Sequence, residues 1–199
     1  MVDNFRNSII GHKEQAMING SVSGDNGVRL SEIPFLAQIN IRGTAEDKKF
    51  VAAVKKVTGV KVPTEPNTYI SKGDITIFWL SPDEWQIVGP VDAQGDLVAK
   101  LREVLDGLHV AVIDVSGNRT ALDLTGAQAR NVMKKSCRLD MDPQSFSVGQ
   151  AVQTRVGKAP VLLQMLNDQP TFRMFVRPSF AEYLVDWLLD AMSEYHHSA

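Results

Sequence analysis

The stretch from Leu108 to Met141, LHVAVIDVSGNRTALDLTGAQARNVMKKSCRLDM, constrains the fold more than any other part of this chain. Its spacing predicts a strand, a tight turn at Ser116-Gly117-Asn118, a second strand, a helix opening at Thr125 and a loop around Arg138 to Met141. Two strands and one amphipathic helix cannot bury their apolar faces alone, so the flanking sequence must supply further strands and helices.

Upstream, Ile33 to Ile41 alternates as a strand and stops at Arg42-Gly43. Thr44, with Asp47 three residues on, predicts a capped helix whose apolar face is Phe50, Val51, Val54 and Val57 and whose stop is Gly59. Residues 58–74, with Pro63, Pro66, Asn67 and Gly73, read as a connection. Ile75 to Leu80 reads as a strand, and SPDEW after it carries a helix-start pattern: Ser81 as cap, Pro82 at the first position, Glu84 closing the box, Leu80 and Trp85 as a hydrophobic staple. A short return strand at 85–88 and a helix from Asp92 to Leu105 follow. Downstream, Ala151–Val156, Pro160–Leu166 and Thr171–Arg177 read as strands joined by hairpins at Gly157-Lys158 and Asn167-Asp168. Ser179 and Glu182 then open a last helix with Phe180, Leu184, Trp187, Leu188 and Ala191 on its apolar face.

This order of elements predicts an α+β fold built of ferredoxin-like βαββαβ pieces with antiparallel sheets. Residues 1–29, polar and broken by glycines, read as an extended N-terminal arm. Phe5, Ile9 and Ile10 in that arm are either disordered or docked on another surface, disorder being the default. An α+β domain is expected over 30–195, divisible into fused subdomains at about 30–115 and 116–195, with a tail at 196–199.

The 199 residues, 44% hydrophobic, suffice for a core without disulfides or metal. A formal net charge of -2 argues against a nucleic-acid grip. The Lys48-Lys49 and Lys55-Lys56 pairs fall opposite a helix's apolar stripe, as a solvated face does. One cysteine, Cys137, excludes an intrachain disulfide and points to a reducing compartment. The N-terminus lacks the pattern of a secretory signal, and no apolar run approaches the roughly 20 residues that span a bilayer. A cytoplasmic protein without a membrane partner is expected.

Candidate chemistry is sparse. His12, His109, His196 and His197 are the only imidazole bases; His109 enters a predicted strand and the others sit near the termini. Asp83 and Glu84 could form an acid/base pair, but the first turn of a helix favours carboxylates on its own. Lys134, Lys135 and Arg138 could lower the Cys137 thiol pKa, although an isolated cysteine is more often a small buried residue. Asp114 and Asp123 flank the Ser116 turn, and Arg119 could pair with either. No G-x-G-x-x-G or Walker A sequence is present. No catalytic, cofactor-binding or metal-ligating residue is therefore assigned.

Five motifs, in order, resemble the gamma subunit family of heterotetrameric sarcosine oxidase: LSEIPFLAQINIRG at 30–43, VPTEPNT at 62–68, LSPDEWQIVGP at 80–90, DVSGNRTALDLTGAQARNVMKKSCRLDM at 114–141 and VRPSFAEYLVDWLLDA at 176–191. That family is similar in fold to the aminomethyltransferase T-protein of glycine cleavage and to related folate-binding domains. The resemblance implies an accessory, noncatalytic chain in a four-subunit oxidase that demethylates sarcosine to glycine. Such an enzyme yields hydrogen peroxide and either formaldehyde or 5,10-methylenetetrahydrofolate. The implied partners are alpha, beta and delta subunits, which would carry FAD, FMN, NAD and tetrahydrofolate. Two alternatives stand beside it: a stand-alone folate-dependent one-carbon transferase or folate-binding protein of T-protein type, and the matching subunit of an oxidase with a different N-methyl substrate.

Overall fold

The structure, a computed structural model, describes residues 6–25 and 27–197, with the His197 side chain outside that description. In chain order its regular elements are α1 (Glu14–Asn19), β1 (Arg29–Ile33), β2 (Leu36–Arg42), α2 (Lys48–Thr58), β3 (Tyr69–Lys72), β4 (Ile75–Ser81), β5 (Glu84–Val91), α3 (Gln94–Val104), β6 (Ala111–Asp114), β7 (Thr120–Thr125), α4 (Ala129–Lys134), β8 (Ala151–Val156), β9 (Ala159–Asn167), β10 (Thr171–Val176) and α5 (Pro178–Met192). Short 3-10 turns at Gly11–Lys13 and Ser193–His197 flank the first and last helices.

The strands form two antiparallel five-stranded sheets, ordered β6-β2-β5-β4-β3 and β1-β7-β10-β9-β8. Both follow one plan, since β2-α2-β3-β4-β5-α3-β6 matches β7-α4-β8-β9-β10-α5 closed by β1. The closing strand of the second unit thus comes from the start of the chain. The sheets stack face to face, with helices on their outer faces. Alternation along each strand produces these layers, because successive side chains point to opposite faces. On β2, Ala37, Ile39 and Ile41 join Phe50, Val54 and Leu101 under α2 and α3, while Leu36 joins the inter-sheet cluster of Phe78, Val88, Leu162 and Phe175. A third cluster lies between the second sheet and α1, α4 and α5.

The organising stretch forms its turn at Ser116-Gly117-Asn118, but the strands on either side do not pair with each other. β6 bonds β2 in one sheet and β7 bonds β1 and β10 in the other, so the turn carries the chain between sheets. Thr125 does not open a helix. It continues the ladder opposite Arg29 and Thr171, and α4 starts after Gly126, whose φ of +120° redirects the backbone.

SPDEW is likewise a hairpin. β4 and β5 pair across Pro82-Asp83, so Leu80 and Trp85 lie on opposite faces and form no staple. Long β-branched and aromatic strands outweigh the local capping pattern, and Trp85, fully buried, donates from Nε1 to the Pro63 carbonyl at 2.8 Å. In α2 the cap is Asp47, accepting from the Lys49 amide at 2.8 Å, rather than Thr44; Gly59 ends the helix at φ +71° as expected. Pro178 opens the first turn of α5, and the N-cap position is Arg177, which makes no side-chain cap, rather than Ser179. The connection at 58–74 contains the edge strand β3.

The N-terminal segment differs most from expectation. Phe5 lies outside the described residues, and Ile9 is exposed, but Ile10 is fully buried and Met17 nearly so, both in the core against β1 and α5. Lys13 holds Asp186 of α5 at 2.9 Å, and Val22 and Val28 bridge each other. The surface that receives this segment belongs to the same chain.

Candidate functional site

Most residues singled out from sequence turn out to be structural. Arg42 sits between the tempting carboxylates, bonding Asp83 at 3.3 Å and Glu84 at 2.7 Å, and Glu84 also accepts from Asn40 at 2.7 Å. The Ser81 hydroxyl, 2.6 Å away, and then Arg42 hold the Asp83 carboxyl below the usual aspartate range. Both carboxylates are engaged by neighbouring donors, an arrangement that fits a structural role better than proton transfer. Asp114 accepts from the amide and hydroxyl of its own turn residue Ser116 at 2.9 and 2.6 Å. Asp123 forms a bidentate pair with Arg173 across β7 and β10, at 2.7 and 2.8 Å.

Cys137 is half-buried, and burial pushes its thiol up despite its basic neighbours. His12 lies 3.4 Å from Glu182, His196 lies 3.0 Å from the Gly20 carbonyl, and His109 is exposed in the loop before β6 rather than in the strand. Among the described residues, no three His, Cys, Asp or Glu side chains converge as a metal site would require.

Arg119 pairs with neither aspartate. The buried Gln38 and Gln86 meet between the sheets at 2.8 Å; Gln38 Nε2 donates to the Arg119 carbonyl at 2.7 Å, and Gln86 Oε1 accepts from the Arg119 guanidinium at 2.8 Å. This relay fixes Arg119 in the wall of an open cleft of about 360 Å³. Arg138, Arg155 and Arg177 line the same cleft, with Gln153 and Thr154 between them. Topology gathers them: Arg119 directly precedes β7, Arg177 directly follows β10, Arg155 is in β8, and Arg138 follows α4.

The cleft is electrostatically unbalanced. Among the described residues none of these four guanidinium groups has a carboxylate within ion-pair distance, and those of Arg138, Arg155 and Arg177 have no hydrogen-bond partner. Burial first, and the neighbouring Arg177 charge second, push the Arg119 pKa below its ordinary value, with Glu84 opposing them. The arrangement is suited to holding anionic oxygen and has no nucleophile-base pair with which to transform it. Sequence reading named Arg119 and Arg138 in other roles and passed over Arg155 and Arg177. Their separation along the chain leaves no local signal.

The two-sheet sandwich places the chain in a recognisable fold class: the aminomethyltransferase T of the glycine cleavage system from Bartonella henselae superposes with a TM-score of 0.59 at 16% identity, over 81% of this chain and 45% of that one. A narrower likeness covers nearly the whole chain. The model of the sarcosine oxidase, gamma subunit family matches residues 42–194. Sarcosine oxidase subunit gamma from Corynebacterium sp. (strain P-1) is 36% identical over 191 residues, 96% of this chain and 91% of that relative. A chain in the structure of heterotetrameric sarcosine oxidase from Corynebacterium sp. U-96, in complex with pyrrole 2-carboxylate, superposes with a TM-score of 0.89 at 33% identity, covering 96% of this chain and 97% of that one. The protein belongs to the sarcosine oxidase gamma subunit family.

Proposed function

We propose that this chain acts as the noncatalytic gamma subunit of a heterotetrameric sarcosine oxidase, joined to alpha, beta and delta subunits. The complex would convert sarcosine to glycine with hydrogen peroxide and either formaldehyde or 5,10-methylenetetrahydrofolate. The observation that carries this reading is the TM-score of 0.89 over almost the full length of both chains, one of which belongs to such a heterotetramer. FAD, FMN, NAD and tetrahydrofolate are assigned to the partner subunits. The compartment that fits a single half-buried thiol is the cytoplasm.

The test is co-expression of the partner subunits with and without this chain. The reading expects a stable flavin-bearing complex with it and loss of assembly or of thermal stability without it. An equally stable and active complex lacking the chain would overturn it. The fold shared with aminomethyltransferase T favours one rival, a stand-alone folate-binding protein or one-carbon transferase. Calorimetric titration of the isolated chain with tetrahydrofolate separates the two, since only the rival requires saturable binding.

A further inference from the structure

We propose that the cleft formed by Arg119, Arg138, Arg155 and Arg177 binds a small multivalent oxyanion, one carrying two or more carboxylate or phosphate groups. Four planar guanidinium groups around about 360 Å³ present an array of N–H donors that matches such oxygens in pairs. A single carboxylate engages only part of that array, whereas a di- or trianion bridges several of its members.

Three observations separate this cleft from an incidental basic surface. First, the chain carries a formal net charge of -2, yet this cleft collects four cations without a paired carboxylate among the described residues. The nearest acid acting on Arg119 is Glu84, which is already committed to Arg42 and Asn40. Second, Arg119 is held from behind. The buried Gln38–Gln86 pair takes up its carbonyl and one N–H, so its remaining donors are pre-positioned rather than free to swing.

Third, the fold supplies its own control. The repeated topology creates a second cleft at the corresponding strands, β3, β4 and β5 with the start of β2, of about 540 Å³. Its lining includes Tyr69, Ser71, Asp74 and Thr76, and its one arginine, Arg173, is neutralised by Asp123. The architecture therefore forms a cleft here without needing arginines in it. Four unpaired cations in one copy are a property of that copy, and they cost stability through mutual repulsion unless an anion offsets them.

The test measures thermal unfolding and calorimetric titration of the full chain with pyrophosphate and with citrate, against sodium chloride at matched ionic strength. Variants are Arg155→Gln/Arg177→Gln, both exposed, and the charge-matched control Lys48→Gln/Lys49→Gln on α2. The proposal expects saturable binding of at least one polyanion, a rise in unfolding temperature beyond that in chloride, and affinity weakened by about tenfold or more in the arginine variant but unchanged in the control. Absence of saturable binding overturns it, as does equal binding by both variants or a shift that chloride reproduces. If the arginine variant binds no less anion but fails to join the partner subunits, the cleft receives acidic side chains of another chain and the small-anion proposal is wrong.

Discussion

At the scale of single residues, two positions show how much of this fold rests on close approach. Gly126 adopts φ +120°, and a Cβ built there would run into the Gly27 carbonyl; that carbonyl also accepts from the Gln128 amide at 3.2 Å. Gly126→Ala therefore combines backbone strain with a backbone clash and should lower stability by about 2–4 kcal/mol, read from urea unfolding. An unchanged midpoint would mean the 27–28 segment can retreat at no cost. Asp123 and Arg173 face each other across β7 and β10, both largely shielded, so Asp123→Ala should cost about 2–4 kcal/mol by stranding the arginine. In a double-mutant cycle the pair Asp123→Ala/Arg173→Met should recover part of that loss. The sequence showed these charges but not their pairing. Arg119 lies nearer Asp123 in the chain than Arg173 does, and only the β7–β10 register puts Arg173 opposite.

At the scale of elements, alternation made β8, β9 and β10 legible, with their turns, because each strand has one face in the helix-covered core and the other between sheets. Alternation does not say which strand pairs with which; the tight turn between β6 and β7 suits a hairpin as well as a crossing, and here it joins strands of different sheets. β3 went unread because its four residues form an edge strand with only the start half-buried, leaving no apolar rhythm. The capping pattern at Ser81 was a local signal overruled by two strands of seven and eight residues.

The N-terminal segment was misjudged because two well-separated apolar side chains carry its docking. Ile10→Ala should cost about 2–4 kcal/mol while Ile9→Ala, at 52% exposure, should be nearly neutral; equal effects would contradict the docked arrangement. That docking also depends on pH. Bonds from His12 and then Lys13 hold the Glu182 carboxyl below its ordinary value, so its contribution is present above the unfolded carboxylate range and is lost as pH falls through the folded value. The bond to Asp186 raises Lys13, so its contribution holds below the ordinary lysine range and is lost as pH rises through the raised value. Amide exchange at residues 11–19, corrected for intrinsic rates, should show greatest protection at neutral pH and a loss as the solution is acidified below the ordinary carboxylate range; protection that persists there would mean the apolar contacts suffice.

At the scale of the whole molecule, the two sheets are joined by an edge-to-face contact of Phe78 with Phe175, 5.4 Å between ring centres, and by the glutamine relay ending at Arg119. Gln86→Ala removes the acceptor of Arg119 and the donor to Gln38 together, and should lower stability by about 1–3 kcal/mol. The α+β class was legible, since strands and helices alternate in a pattern few other layer arrangements satisfy. The ferredoxin-like pieces were legible in the order of the elements, but no repeated residues mark the two units as copies, because the shared plan is carried by burial pattern. The arginine cleft was hidden for the same reason: its members come from positions before β7, after β10, within β8 and after α4, which only the folded sheet brings together. The family resemblance, by contrast, rested on motifs spread in order along most of the chain, and full-length similarity supports it independently of any site.

The central claim is that this chain works as one subunit of a flavin-bearing oxidase. Affinity purification of the tagged full chain from its native cells tests it most directly, with the eluate examined for chain stoichiometry and flavin absorbance. The account predicts larger subunits in fixed ratio, a flavin spectrum and sarcosine-dependent peroxide formation. Elution of the chain alone and colourless from cells grown on sarcosine would contradict it.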